Sequence, residues 1–164
     1  MKAVILGAGF AGRSHAAALR AAGVEIAAVI TSRDETARAF AAQWNIPAHG
    51  TDIALALAAD VDVVHICTPP TTHGPLIRQL LAAGKHVVCE KPLSLDVEEA
   101  AQLAKLAAES GRLCAVCFNS RFHLACQKAR QSLQWAMCCA TSCTLASLAA
   151  PSCTSGIRSR QASQ

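Results

Sequence analysis

Three glycines close to the start of the chain, in the segment Gly7-Ala8-Gly9-Phe10-Ala11-Gly12, are spaced as G-x-G-x-x-G. The apolar run Ala3-Val4-Ile5-Leu6 leads into them and an alanine-rich helical pattern leaves them. That order of strand, tight turn and helix turns a weak motif into a dinucleotide-binding fingerprint. The three glycines act differently. Gly7 permits the sharp turn, Gly9 lets the backbone approach a pyrophosphate, and Gly12 lets helix and strand pack closely. The anion would rest on the free N–H groups and positive dipole end of the helix. Gly7, Ala8, Gly9, Phe10, Ala11 and Gly12 are therefore candidate cofactor-binding residues.

The preference between cofactors is read about 20 residues further on, where a carboxylate would hold a ribose 2′-hydroxyl. Thr31-Ser32-Arg33 stands there instead. A carboxylate would repel a 2′-phosphate, whereas hydroxyls and a guanidinium bind it. NADP is favoured, with NAD the other candidate. The competing account has Ser32 and Arg33 merely opening the next helix, with Asp34 as its cap.

Two further polar segments follow apolar runs: Cys67-Thr68-Pro69-Pro70-Thr71-Thr72-His73 after Val61 to Ile66, and Glu90-Lys91-Pro92 after His86 to Cys89. Both fall at carboxyl ends of expected strands, the edge at which open α/β sheets bind ligands. They should line one crevice.

The elements that position these groups follow from the alternation of short apolar runs with helix-length segments. Ala3 to Leu6, Ile26 to Ile30, Val61 to Ile66, His86 to Cys89 and Leu113 to Cys117 read as strands. Joined through helices, they give right-handed crossovers and a parallel sheet. The fold class is α/β, a Rossmann-like doubly wound parallel sheet in three αβα layers. One helix starts at Asp96, three residues before Glu99, and ends at Gly111, with Ala100, Leu103, Ala104 and Ala107 as its apolar stripe. Another, carrying Leu76, Ile77, Leu80 and Leu81, starts from a cap at Thr71 or Thr72, has Pro75 in its first turn and stops at Gly84.

Of 164 residues, 52% are hydrophobic, enough to bury a core. The net charge is +4, yet residues 1–109 carry nine Lys and Arg against all eleven acids, so the positive excess belongs to the end of the chain. No basic cluster with interleaved aromatics suggests nucleic acid. The start lacks a secretory pattern, so a cytoplasmic location and free thiols are expected. Cys114-x-x-Cys117 falls on a strand, where an offset of three points the thiols to opposite faces; no metal is expected.

The pattern holds to about Arg130. From Gln131 to Ile157 there is no charged residue, while Cys138, Cys139, Cys143 and Cys153 stand among many Ser and Thr. Residues 1–130 are read as the NAD(P)-binding domain and 131–164 as an irregular tail, whose composition suggests a slipped reading frame. A membrane span is not expected, because the uncharged stretch is short and rich in polar residues.

Gly7 to Gly12, Thr68-Pro69-Pro70 with His73, Gly84-Lys85-His86-Val87, Glu90-Lys91-Pro92 and Phe118-Asn119-Ser120-Arg121-Phe122 together resemble, in order and spacing, the Gfo/Idh/MocA oxidoreductases. The resemblance covers residues 1 to about 130, the nucleotide-binding domain of that family. It implies hydride exchange between a nicotinamide and a hydroxyl-bearing carbon of a sugar, inositol or similar polyol. Lys91 matches the family's catalytic lysine, and an ammonium at a crevice edge suits the stabilisation of a developing alkoxide. Cys67, Thr68, Pro69 and His73 are expected near the cofactor's ribose and pyrophosphate and Glu90 near the nicotinamide, with Lys91 and Asn119 also cofactor-binding candidates. Asn119 and Arg121 correspond to the start of the family's linker and are expected to face substrate. His65 is expected to be a satisfied core histidine. The family's substrate domain, which carries a further acid/base histidine and often the oligomer interface, has no counterpart in these residues. The other readings are a non-catalytic NAD(P)-sensing module and a domain tethered to a membrane through the tail.

Overall fold

The computed structural model describes residues 1–132. The chain divides into two compact units, Met1–Phe118 and Asn119–Gln164. The irregular tail expected over 131–164 lies, from residue 133 onward, outside the described residues.

In the first unit six strands form one parallel sheet: β1 Lys2–Leu6, β2 Glu25–Ile30, β3 Ala48–Gly50, β4 Val63–Ile66, β5 His86–Glu90 and β6 Cys114–Cys117. Their order is β3-β2-β1-β4-β5-β6. The chain thus reverses direction across the sheet between β1 and β4, the switch point beside which doubly wound sheets open a ligand crevice. The helices are α1 Phe10–Ala21, α2 Asp34–Trp44, α3 Ala54–Leu57, α4 His73–Ala82 and α5 Val97–Ser110.

Alternate residues of each strand point to opposite faces, and two separate cores result. Ala3 and Ile5 pack with Ala16 and Leu19 of α1 and Phe40 of α2. Val4 and Leu6 pack with Ile77 and Leu80 of α4 and Leu103 of α5. Helices cover both faces, which is why β1 and β4 read as nearly continuous apolar runs. The three αβα layers are those expected.

The helix signals hold with two corrections. Asp96 caps α5, its Oδ1 accepting from the Glu99 N–H at 2.7 Å, and Gly111 ends the helix in the left-handed region. Thr72 occupies the N-cap position of α4, but its side chain makes no cap bond. A 3-10 turn, Pro70–Thr72, precedes the helix, and the Thr72 hydroxyl meets Thr68 Oγ1 and the Pro69 carbonyl instead. The cap of α2 is Arg33 rather than Asp34, which is the first helical residue and pairs with Arg38 at 2.8 Å.

The strand β3 and the short α3 were not anticipated. Residues Val61 and Asp62, expected in a strand, precede β4. Buried Lys85 fastens that approach: its ammonium donates to the carbonyls of Ala58 at 2.5 Å and Val61 at 2.8 Å.

Taken alone, the described part of the second unit holds a 3-10 turn, Asn119–Phe122, and a helix α6, Leu124–Ser132. No helix among the described residues is long and apolar enough to cross a membrane.

Candidate functional site

The glycine turn links the end of β1 to α1. Gly7 has φ +103°, and a β-carbon there would stand 2.6 Å from the Cys67 carbonyl oxygen. A β-carbon on Gly12 would stand 2.2 Å from the Gly7 carbonyl oxygen. One on Gly9 meets no described atom within 4 Å. The first and third glycines are thus demanded by the protein's own packing, whereas the second is demanded by nothing among the described residues. Gly9 is the N-cap of α1 and supplies no side-chain cap bond, so the first N–H groups of a twelve-residue helix are left for an outside acceptor. These features fit a pyrophosphate. Phe10, the first residue of α1, is 88% exposed beside them, while Ala8 packs against the core of the α1 face.

At the end of β2, Thr31 Oγ1 donates to the Arg33 carbonyl at 2.7 Å and accepts from the Arg33 N–H at 3.3 Å. This local turn commits the Thr31 hydroxyl. Ser32 and Arg33 are exposed. Among the described residues neither side chain has a hydrogen bond or ion pair.

At the ends of β4 and β5 the expected residues come together, with one correction. His73 is fully buried, and its ring nitrogens lie 2.8 Å from the Pro92 carbonyl and 2.9 Å from the Thr68 carbonyl. It is a strut between the two strand-end segments rather than a group facing a cofactor. The reason is that α4 begins at His73 itself, which turns the side chain inward. Thr68 and Pro69 remain at the edge, and Cys67 is half-buried beneath it.

Glu90 is held from several directions. His15 Nε2 lies 3.1 Å from its Oε1, and the Lys91 N–H donates to its Oε2 at 3.1 Å. His15 Nδ1 in turn lies 2.7 Å from His65 Nδ1. A carboxylate only accepts, so His15 must carry a proton on Nε2; in the neutral pair His65 therefore donates to His15. Burial, with the nearby His15 charge as a second cause, pushes His65 down to about 4. Cys67 is pushed up to about 12 by burial, then by Glu90 and Cys117. Cys117 is raised by burial, by the Glu90 charge and by its hydrogen bond to Glu90.

The Lys91 side chain is exposed, and among the described residues it makes no ion pair. The carboxylate beside it in sequence is engaged by His15 and by the Lys91 main chain, so the ammonium is not neutralised by Glu90. Asn119 opens the second unit.

His15 was missed as a site residue. Its signal was a histidine three residues after Gly12, on the apolar stripe Gly12, His15, Ala16, Leu19 of α1. His65 is the satisfied histidine expected, although its partner was not anticipated.

Residues 1–118 match the family model described as oxidoreductase family, NAD-binding Rossmann fold. The chain belongs to the Gfo/Idh/MocA oxidoreductases. It is 38% identical over 119 residues to inositol 2-dehydrogenase of Rhizobium meliloti (strain 1021), a match covering 72% of this chain and 36% of the relative. The solved structure of UDP-N-acetylglucosamine 3-dehydrogenase from Acidithiobacillus ferrooxidans superposes with a TM-score of 0.72 at 36% identity, covering 80% of this chain and 43% of that one. GenD2 from gentamicin A biosynthesis, solved in complex with NAD, gives a TM-score of 0.76 at 32% identity over 80% of this chain and 38% of its own. The chain thus spans about two fifths of the length of these Gfo/Idh/MocA relatives, and what it matches is their NAD-binding Rossmann domain.

Proposed function

We propose that this chain is the cofactor-holding part of an oxidoreductase acting on a sugar, inositol or similar polyol, and that its preferred cofactor is NADP. The carrying observation is the contrast among the three glycines: packing requires Gly7 and Gly12, whereas a β-carbon on Gly9 would meet no described atom within 4 Å, an opening that suits a pyrophosphate. Gly7 to Gly12 and the start of α1 would hold the pyrophosphate, with Cys67, Thr68 and Pro69 bordering the same edge. Ser32 and Arg33, exposed and uncommitted among the described residues, suit a 2′-phosphate; Thr31 shapes their turn. A bound nicotinamide would supply the hydride donor or acceptor. Lys91 would stabilise negative charge on the substrate oxygen and carry its proton, which its exposed ammonium, without an ion pair among the described residues, supports. Glu90, fixed by His15, would shape the nicotinamide end, and Asn119 would lie on the path toward substrate.

Titration of the chain with NADPH and NADH by calorimetry tests the reading. NADPH should bind more tightly, and Arg33→Ala should weaken NADPH by about 1.5–3 kcal/mol, the value of a hydrogen bond to a charged group, while leaving NADH nearly unchanged. Equal curves for both cofactors in both proteins would remove the NADP assignment; no binding of either would remove the reading altogether.

A further inference from the structure

A second chemistry is available at the same edge. His15, Glu90 and Cys117 each offer one ligating atom, and the three atoms lie within 4.8 Å of one another. They come from three separate elements: α1, the last position of β5 and the last position of β6. Glu90 and Cys117 are register partners in the parallel ladder, so the backbone sets their spacing. His15 is buried, and Glu90 and Cys117 are half-buried.

We infer that His15 Nε2, a Glu90 carboxylate oxygen and Cys117 Sγ form a binding site for a thiophilic divalent cation, zinc above all. One imidazole, one carboxylate and one thiolate form a donor set suited to zinc, with a fourth position left for water. Zinc bonds of about 2.0–2.3 Å place tetrahedral ligand atoms about 3.3–3.8 Å apart, so a contraction of roughly 1 Å closes the site.

The supporting shell is an independent observation. A histidine that binds metal through one nitrogen donates its other N–H to a fixed acceptor. His65 Nδ1, 2.7 Å from His15 Nδ1, becomes that acceptor once the proton between them sits on His15. Glu90 Oε2 is likewise steadied by the Lys91 N–H. Binding releases one net proton: the Cys117 S–H bond breaks and its proton goes to solvent as the Zn–S bond forms. The proton on His15 Nε2 leaves as the Zn–N bond forms, the proton shared with His65 moves onto His15 Nδ1, and His65 takes one from solvent on Nε2, so both imidazoles stay neutral. No oxidant or reductant is involved. The site shares His15 and Glu90 with the nicotinamide end of the cofactor reading, but none of its ligands belongs to the glycine turn, so zinc binding is measured without added cofactor.

The test uses the whole chain, kept reduced, with Zn²⁺ in competition with a chromophoric chelator and with Co²⁺ as a spectroscopic probe. Nine cysteines are present in the sequence, so the readout is the difference from wild type. Cys117→Ser should remove one equivalent of chelator-competitive zinc and the matching thiolate-to-cobalt absorption, and Glu90→Gln should also remove that equivalent. Cys114→Ser should leave both signals intact. His65→Leu should weaken the site by about tenfold to a hundredfold, and circular dichroism melts report whether each variant is folded. An unfolded Cys117→Ser would be replaced by Cys117→Ala, read the same way. Zinc that binds wild type and Cys117→Ser alike, or no competition with the chelator in wild type, overturns the proposal.

Discussion

A β-carbon on Gly12 would press to 2.2 Å from the carbonyl oxygen of Gly7, backbone against backbone. Gly12→Ala must therefore displace the turn or the start of α1. The expected cost is about 1–3 kcal/mol, in the range of overpacked cores, seen as a lower midpoint in urea with an unchanged slope. A variant as stable as wild type would mean that the turn is far softer than its packing suggests.

Gly9→Ala should behave in the opposite way. Its φ of −74° suits any residue, and the added methyl meets no described atom within 4 Å. Thermal stability should hold, whereas dinucleotide affinity should fall by about tenfold or more, or about 1.4 kcal/mol, because the methyl occupies the approach of the pyrophosphate. Retained affinity in calorimetry would move the phosphate contact elsewhere.

Asp96→Ala should destabilise the chain by about 1 kcal/mol through loss of the 2.7 Å cap on the Glu99 N–H, and Asp96→Asn should retain most of the stability. Denaturant melts of the two variants side by side decide it; equal losses would show that charge at the helix start matters more than the cap bond.

A polypeptide of these 164 residues should bind NADP(H) yet show negligible dehydrogenation of a polyol panel followed by nicotinamide absorbance. A positioned acid or base contributes about 10²–10⁴ in rate, and substrate positioning contributes more; the residues that match the relatives cover only their cofactor domain. Robust turnover abolished by Lys91→Ala would show that the chain suffices by itself.

The parts legible from residue types were those governed by short-range physics. Apolar runs capped by Gly7, Gly84 and Gly111 announced the parallel sheet and its helices, and Asp96 with Glu99 marked the start of α5. The edge strand Ala48–Gly50 was not legible, because three residues without a branched apolar side chain carry no strand pattern. In the site, the backbone roles of the glycine turn could be read from spacing. The place of His73 could not: the helix starts where expected, but the carbonyls of Thr68 and Pro92 that hold the ring inward come from two separate strand-end segments. His15 was hidden for a related reason, since one histidine in an apolar stripe looks like core until Glu90 and His65, distant in sequence, are brought against it.

The two apolar clusters on either side of the sheet carry an evolutionary consequence. Leu19 and Phe40 belong to one, Leu80 and Leu103 to the other, and no described residue belongs to both. Substitutions without shared partners combine nearly additively, so epistasis should be strong within each cluster and weak between them. Each layer is then free to drift, or to be redesigned, without compensating change in the other.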